Sequence, residues 1–185
     1  MVVDVLPTRV LSLGLILAAA LGATGYPTPG VAASEAVTNT YQSQSLQPAE
    51  ADVLRRKVLV QCGLDPSRNV LPWYFHFAYA QALLEAGDAQ RAVTHLSKSI
   101  DLKPEPRAHK RTYGMWYTDY LPYFQLAEAH ARLANWPCAE RAMELSQSTG
   151  EISMGRIEPQ RIRALQERIE RHVDDAGACN IRDYQ

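Results

Sequence analysis

The chain of 185 residues lacks the short motifs that mark most enzymes. There is no phosphate loop, no H-E-x-x-H, no G-x-S-x-G and no paired C-x-x-C, and these absences argue against nucleotide, zinc-protease and hydrolase chemistry. Charge of one sign is missing too. Nineteen Lys and Arg face 20 Asp and Glu, a net charge of −1, so there is no general basic excess to favour nucleic acid. Cysteine is scarce, at three residues. The five histidines, at 76, 95, 109, 130 and 172, have no spacing suited to a metal, and Asp119 and Glu128 are too isolated for paired acid–base work. We therefore expect no cofactor and no catalysis.

Only one long apolar run exists, VLSLGLILAAALGA at residues 10–23. As a helix it reaches about 21 Å, short of the ~30 Å hydrocarbon core. It follows a single arginine, Arg9, and precedes YPTPG and the small residues Val31-Ala32-Ala33. This pattern reads as a signal peptide over 1–33, cut after Ala33 or after Ala23. The chain is then exported, periplasmic or secreted, with no stable membrane span after cleavage. No cysteine follows the run, which argues against lipoprotein processing. Residues 34–47 are polar and aperiodic and read as a flexible lead.

What remains, 48–175, carries helical periodicity. Pro48 opens a helix whose Val53, Leu54, Val58 and Leu59 share a face, with Gly63 as its stop. WYFHFAYAQALLE and AQRAVTHLSKSIDL, joined at Gly87-Asp88, form a helical hairpin over 73–104 that ends at Pro104. Ala80 and Ala92 are small residues placed where the two helices cross. An offset of 47 residues brings a second copy, 120–151. His76, Tyr79, Ala80, Leu83, Ala92 and Leu96 then align with Tyr123, Leu126, Ala127, His130, Ala139 and Met143.

On these residues the chain resembles the tetratricopeptide repeat family, whose pattern is W-x2-L-G-x2-Y, then A-x3-F, then P. Ala80 takes the place of the family glycine and Pro104 the closing proline, whereas Glu151 replaces that proline in the second copy. The resemblance spans about residues 73–151. It implies an all-α, right-handed helical-repeat solenoid of two hairpins, with flanking N- and C-terminal helices. The usual period is 34 residues, so 13 extra residues lie between the hairpins. They fall within KPEPRAHKRTYGMWYTDYLPYF. Tyr113, Trp116, Tyr117, Tyr120 and Phe124 follow helical spacing there, which predicts an extra helical turn leading to a kink, with Pro122 in the first turn of the next helix. A helix over 158–173 has a narrow apolar stripe of Ile162, Leu165, Ile169 and Val173. Arg161 would occupy its small-residue position, so it reads as a cap and not as a third repeat. Residues 176–185 form a tail.

The resemblance further implies a concave groove lined by the first helix of each hairpin. It would present Tyr74, Phe77, Gln81 and Leu84, then Leu121, Phe124, Glu128 and Arg132, to a protein or peptide partner. Phe77 and Phe124 stand where chaperone-binding members of the family carry lysine, so the ligand would be more apolar. Equally, both rings could simply pack between helices. A second functional reading is a glycan-like small ligand held by the aromatic cluster 113–124. Two repeats leave stacking faces uncovered, which keeps a homodimer open. Within such a stack, alternating helix directions bring Cys138 and Cys179 to one end and Cys62 to the other. The expected disulfide is Cys138–Cys179, with three thiols as the alternative.

Overall fold

The structure, a computed structural model, describes residues 45–172 and Cys179. The expected signal peptide, most of the lead and the rest of the tail lie outside the described residues. The protein is mostly helical, with six α-helices and one small two-stranded sheet among the described residues.

Helix α1, Pro48–Gln61, starts with proline at its first position, and the Glu50 carboxylate accepts the Gln47 N–H at 3.0 Å. Both features suit a first turn, where backbone N–H groups have no partner within the helix. Its buried face is Ala51, Val58 and Leu59; Val53, expected on that face, is exposed. Part of the expected flexible lead is tied down. Leu46 donates its N–H to Asp88 Oδ2 at 3.1 Å and accepts from the Arg91 guanidinium at 2.9 Å.

Two helical hairpins follow. The first is α2, Trp73–Glu85, with α3, Ala89–Leu102. The second is α4, Pro122–Arg132, with α5, Trp136–Ser148. α2 packs on α3, α3 on α4 and α4 on α5, so the hairpins lie side by side. Ala80 and Ala92, and their counterparts Ala127 and Ala139, are fully buried. A methyl at these positions lets two helix backbones approach closely. Around them Phe75, Phe77, Leu83, Leu96, Phe124 and Leu126 make a continuous core. Each such side chain contributes on the order of 2 kcal/mol by leaving water. The same offset also aligns Ser99 with Ser146, both fully buried.

The segment between the hairpins corrects the sequence reading. It is an antiparallel β-hairpin, not a helical turn, with β1 at Arg107–Arg111 and β2 at Tyr117–Tyr120. Gly114, with left-handed backbone at φ 52°, turns the chain, and the Thr112 N–H donates to the Trp116 carbonyl at 2.9 Å. Aromatic residues and threonine suit a pleated surface, so the rings that mimic helical spacing also satisfy a strand. β1 carries one extra residue between Arg107 and Lys110, a bulge at which His109 is left-handed with φ 51°. Pro122 does fall in the first turn of α4.

After α5, a single 3-10 turn at Ile152–Met154 leads to α6, Pro159–Glu170. α6 lies against α4 and α5 through Leu165 and Ile169. The structure bonds Cys138, at the start of α5, to Cys179 and leaves Cys62 as a buried free thiol.

Candidate functional site

The groove expected along α2 and α4 is closed by the protein's own side chains. Phe77 and Phe124 are each only 1% exposed, and Leu84 and Leu121 are buried as well. The Phe77 ring meets Tyr120 edge-on at 4.9 Å. Over Phe124 lies the Arg161 guanidinium, 5.3 Å from the ring centre. Arg161 also forks onto both oxygens of Glu128, with Nε at 2.6 Å from Oε1. The arginine that disqualified α6 as a repeat is thus the one that clamps α6 onto α4. Arg132 donates to the Leu84 carbonyl at the end of α2, satisfying a helix-terminal acceptor. The groove is therefore not open. Tyr120 of β2 and Arg161 of α6 meet Phe77 and Phe124. Glu128 and Arg132 are engaged by Arg161 and the Leu84 carbonyl, and Tyr74 and Gln81 remain half-buried.

Tyr74 belongs instead to a different concavity. A cleft of about 150 Å³ lies between the end of α1, the face of α2 and the β-hairpin. Tyr74, Phe77 and Ala78 of α2, Gln61 and Cys62 of α1, and Thr112, Tyr113, Trp116, Tyr117 and Thr118 of the hairpin line it. Its pivot is Tyr113. That ring stacks on Tyr74 at 6.0 Å and on Trp116 at 6.2 Å, and its hydroxyl donates to the Gln61 carbonyl at 2.7 Å. Gly63 makes this possible. A Cβ there would stand 2.6 Å from the Tyr113 ring, and the backbone is left-handed at φ 63°. Gly63, read from sequence only as a helix stop, therefore also seats the hairpin.

Burial pushes the Cys62 thiol up to about 11, so it is not a nucleophile at neutral pH. The Tyr74 phenol is raised as well, chiefly by burial. No charged residue lines the cleft, and its polar groups are one amide, two threonine hydroxyls, the tyrosine hydroxyls, the Trp116 indole N–H and the Cys62 thiol. Such a lining offers apolar and aromatic contact with a few hydrogen bonds.

Other polar residues with unusual settings are structural. Tyr120, fully buried, places its hydroxyl 2.7 Å from the Lys103 carbonyl and 3.0 Å from the Ser99 hydroxyl, which joins the β-hairpin to α3. The Glu151 carboxylate, buried where the closing proline was expected, accepts the N–H groups of Tyr123 at 3.0 Å and Phe124 at 2.7 Å. It also accepts the Ser146 hydroxyl at 2.8 Å. Leu121 precedes α4 and has no side-chain acceptor, so a carboxylate 28 residues away caps the helix. Burial raises Glu151 to about 7, against the three donors, which lower it. His76 and His95 share a 2.9 Å contact between their Nδ1 atoms. Burial first, then Lys98, lowers His76 to about 4; burial, His76, Lys98 and Arg55 do the same for His95. No cluster of three or more His, Cys, Asp or Glu suited to a metal occurs among the described residues. No described helix is long and apolar enough to cross a membrane.

Comparison with protein-family models, curated proteins and solved structures finds no match to this chain.

Proposed function

We propose that this chain is an exported, tetratricopeptide-like adaptor that binds a protein or peptide partner without catalysing a reaction. The observation that carries the binding role is the Tyr74–Tyr113–Trp116 cleft. It is a concave, aromatic-lined and largely preformed surface beside the groove position. Support for the repeat architecture is the recurrence of buried alanines at Ala80, Ala92, Ala127 and Ala139 in consecutive hairpins. With the groove covered, recognition moves to the cleft, and the ligand is an extended segment that offers one apolar or aromatic side chain.

A displayed library of random peptides, selected on the full chain, tests this. Ala78→Leu fills the cleft from the half-buried face of α2 and should abolish capture of the selected peptides. Gln81→Ala, on the expected groove, should leave capture unchanged. The reverse result would return the site to the groove. The glycan reading is favoured by one arrangement, the exposed Trp116 and Tyr117 rings beside Gln61 and Thr118. Selection of glycans and no peptides from parallel arrays would install it. Export is tested by amino-terminal sequencing of the secreted product, which should begin at Thr24 or Ser34.

A further inference from the structure

The tip of the β-hairpin is the most conspicuous exposed feature among the described residues. Met115 is 79% exposed, Trp116 64% and Tyr117 44%, three large apolar or aromatic side chains in sequence. They are not on a slack loop. Arg111 Nε donates to the Gly114 carbonyl at 2.6 Å, Thr112 and Trp116 close the turn, and Tyr113 is anchored to α1. The tip therefore holds its apolar side chains out in water by construction.

Charge is distributed around it unevenly. The chain is nearly neutral, but the hairpin carries Arg107, Lys110 and Arg111 against the single carboxylate of Asp119. That carboxylate is already engaged. It accepts the His109 N–H at 2.8 Å and lies 3.6 Å from Arg156. Cross-strand register sets Arg111 opposite Tyr117, and the His109 ring stacks on Tyr117 at 4.4 Å. The outward face carries His109, Arg111, Tyr117 and Asp119, whereas Arg107 and Lys110 share the face of Tyr120 and Thr118. Basic side chains thus ring the hairpin on both faces, and the tip beyond them is apolar.

We propose that this hairpin docks on an anionic lipid surface. Met115 and Trp116 enter the interfacial zone, while Arg107, Lys110 and Arg111 meet the headgroups. Tryptophan suits that zone because its ring is apolar while its N–H still seeks a polar partner. Basic residues next to an anionic bilayer add attraction that salt screens. A deeper apolar ligand alone would not need the basic collar, and a purely electrostatic partner would not need Met115 and Trp116. This docking goes beyond partner binding in the cleft. It would place the mouth of the cleft at the membrane surface, so that a partner is met close to the bilayer.

The test uses the full chain with vesicles of phosphatidylcholine, alone or mixed with phosphatidylglycerol, whose acyl chains carry bromine. Sedimentation is not the readout, because the apolar run at 10–23 can carry the chain to any bilayer. Tryptophan quenching is, because residues 1–44 contain no tryptophan. Trp116→Phe supplies the baseline from Trp73 and Trp136. The expected result is quenching that disappears in Trp116→Phe and requires phosphatidylglycerol. Its apparent affinity should fall about tenfold or more in the Arg107→Gln, Lys110→Gln double variant, and similarly in high salt. No quenching beyond the Trp116→Phe baseline would overturn the proposal. So would equal quenching on phosphatidylcholine alone, or indifference to the double variant. Peptide capture by the cleft is scored separately, so either idea can fail while the other stands.

Discussion

Gly87 and Ala134 occupy the same place in the turns of the two hairpins, and both are left-handed, at φ 87° and φ 54°. The residues after them, Asp88 and Asn135, have nearly identical backbone angles. Their backbone hydrogen bonds repeat too, Asp88 N–H to the Leu83 carbonyl at 2.9 Å and Asn135 N–H to the His130 carbonyl at 3.0 Å, but their side chains differ. Asp88 caps α3, its Oδ1 accepting the Arg91 N–H at 3.1 Å, and it also holds Leu46. Asn135 makes no side-chain cap. The second hairpin is held from outside its turn, by Glu151 at the start of α4 and by the Cys138–Cys179 bond at the start of α5. One backbone plan is thus capped by its own turn residue in the first hairpin and by a distant carboxylate and a disulfide in the second. Long-range ties are what a repeat needs when its own caps are weak.

That contrast can be broken most severely at the disulfide. Closing a loop of 41 residues stabilises by about 4 kcal/mol in the chain-entropy model, an upper guide. Cys138→Ala with Cys179→Ala should lower stability to denaturant by up to that amount. Hydrogen exchange should rise more in α5 and α6 than in α2 and α3. Non-reducing peptide mapping that links Cys62 to either partner would refute the pairing.

Next is the buried cap. Glu151→Ala strands two helix N–H groups and the Ser146 hydroxyl and should destabilise by about 2–4 kcal/mol. Its titration gives a sharper signature. A carboxyl raised from 4.5 to about 7 in the folded protein binds its proton more tightly there than in the unfolded chain. The stability it contributes is full below about 4.5 and is lost as pH rises to about 7, up to about 3 kcal/mol in all. The first hairpin has the opposite sign. His76 and His95, lowered from 6.5 to about 4, favour the neutral form in the fold. Their contribution is full above about 6.5 and is lost as pH falls toward 4. Denaturation at a series of pH values should therefore show stability that rises with pH in the parent, because two histidines oppose one carboxyl. Glu151→Gln should steepen that rise, and His76→Phe with His95→Phe should leave stability that falls with pH.

The smallest effect lies in the turn that opens the comparison. Ala134→Gly relieves a left-handed backbone that glycine adopts freely and should stabilise by roughly 0.5–1 kcal/mol. Gly87→Ala should destabilise by a similar or larger amount. Negligible changes in thermal melts at both positions would mean that the left-handed backbone carries no strain in these turns.

The helices and their pairing were written locally in the chain. Helical periodicity, Pro48 and Pro122 at first turns, Gly87 at a turn and alanines at fixed offsets are short-range signals, each enforced by sterics or by backbone hydrogen bonding within a few residues. Even the 47-residue repeat needs only that two stretches share one pattern. Which aromatic rings would be exposed was not legible, because a ring has the same periodicity whether it faces solvent or a neighbouring helix. Phe77 and Phe124 were covered by β2 and α6, elements whose placement depends on contacts such as Arg161 with Glu128, 33 residues apart. The strand character of 107–120 was equally hidden, since Tyr113, Trp116, Tyr117 and Tyr120 fit a helix in isolation. What decided it was Tyr120, whose hydroxyl finds carbonyl and serine partners on α3, and Tyr113, which finds a place against Gly63. The role of Glu151 belongs to the same class. A carboxylate becomes a helix cap only when folding brings it to unpaired N–H groups, and no pattern in the sequence around position 151 records that meeting.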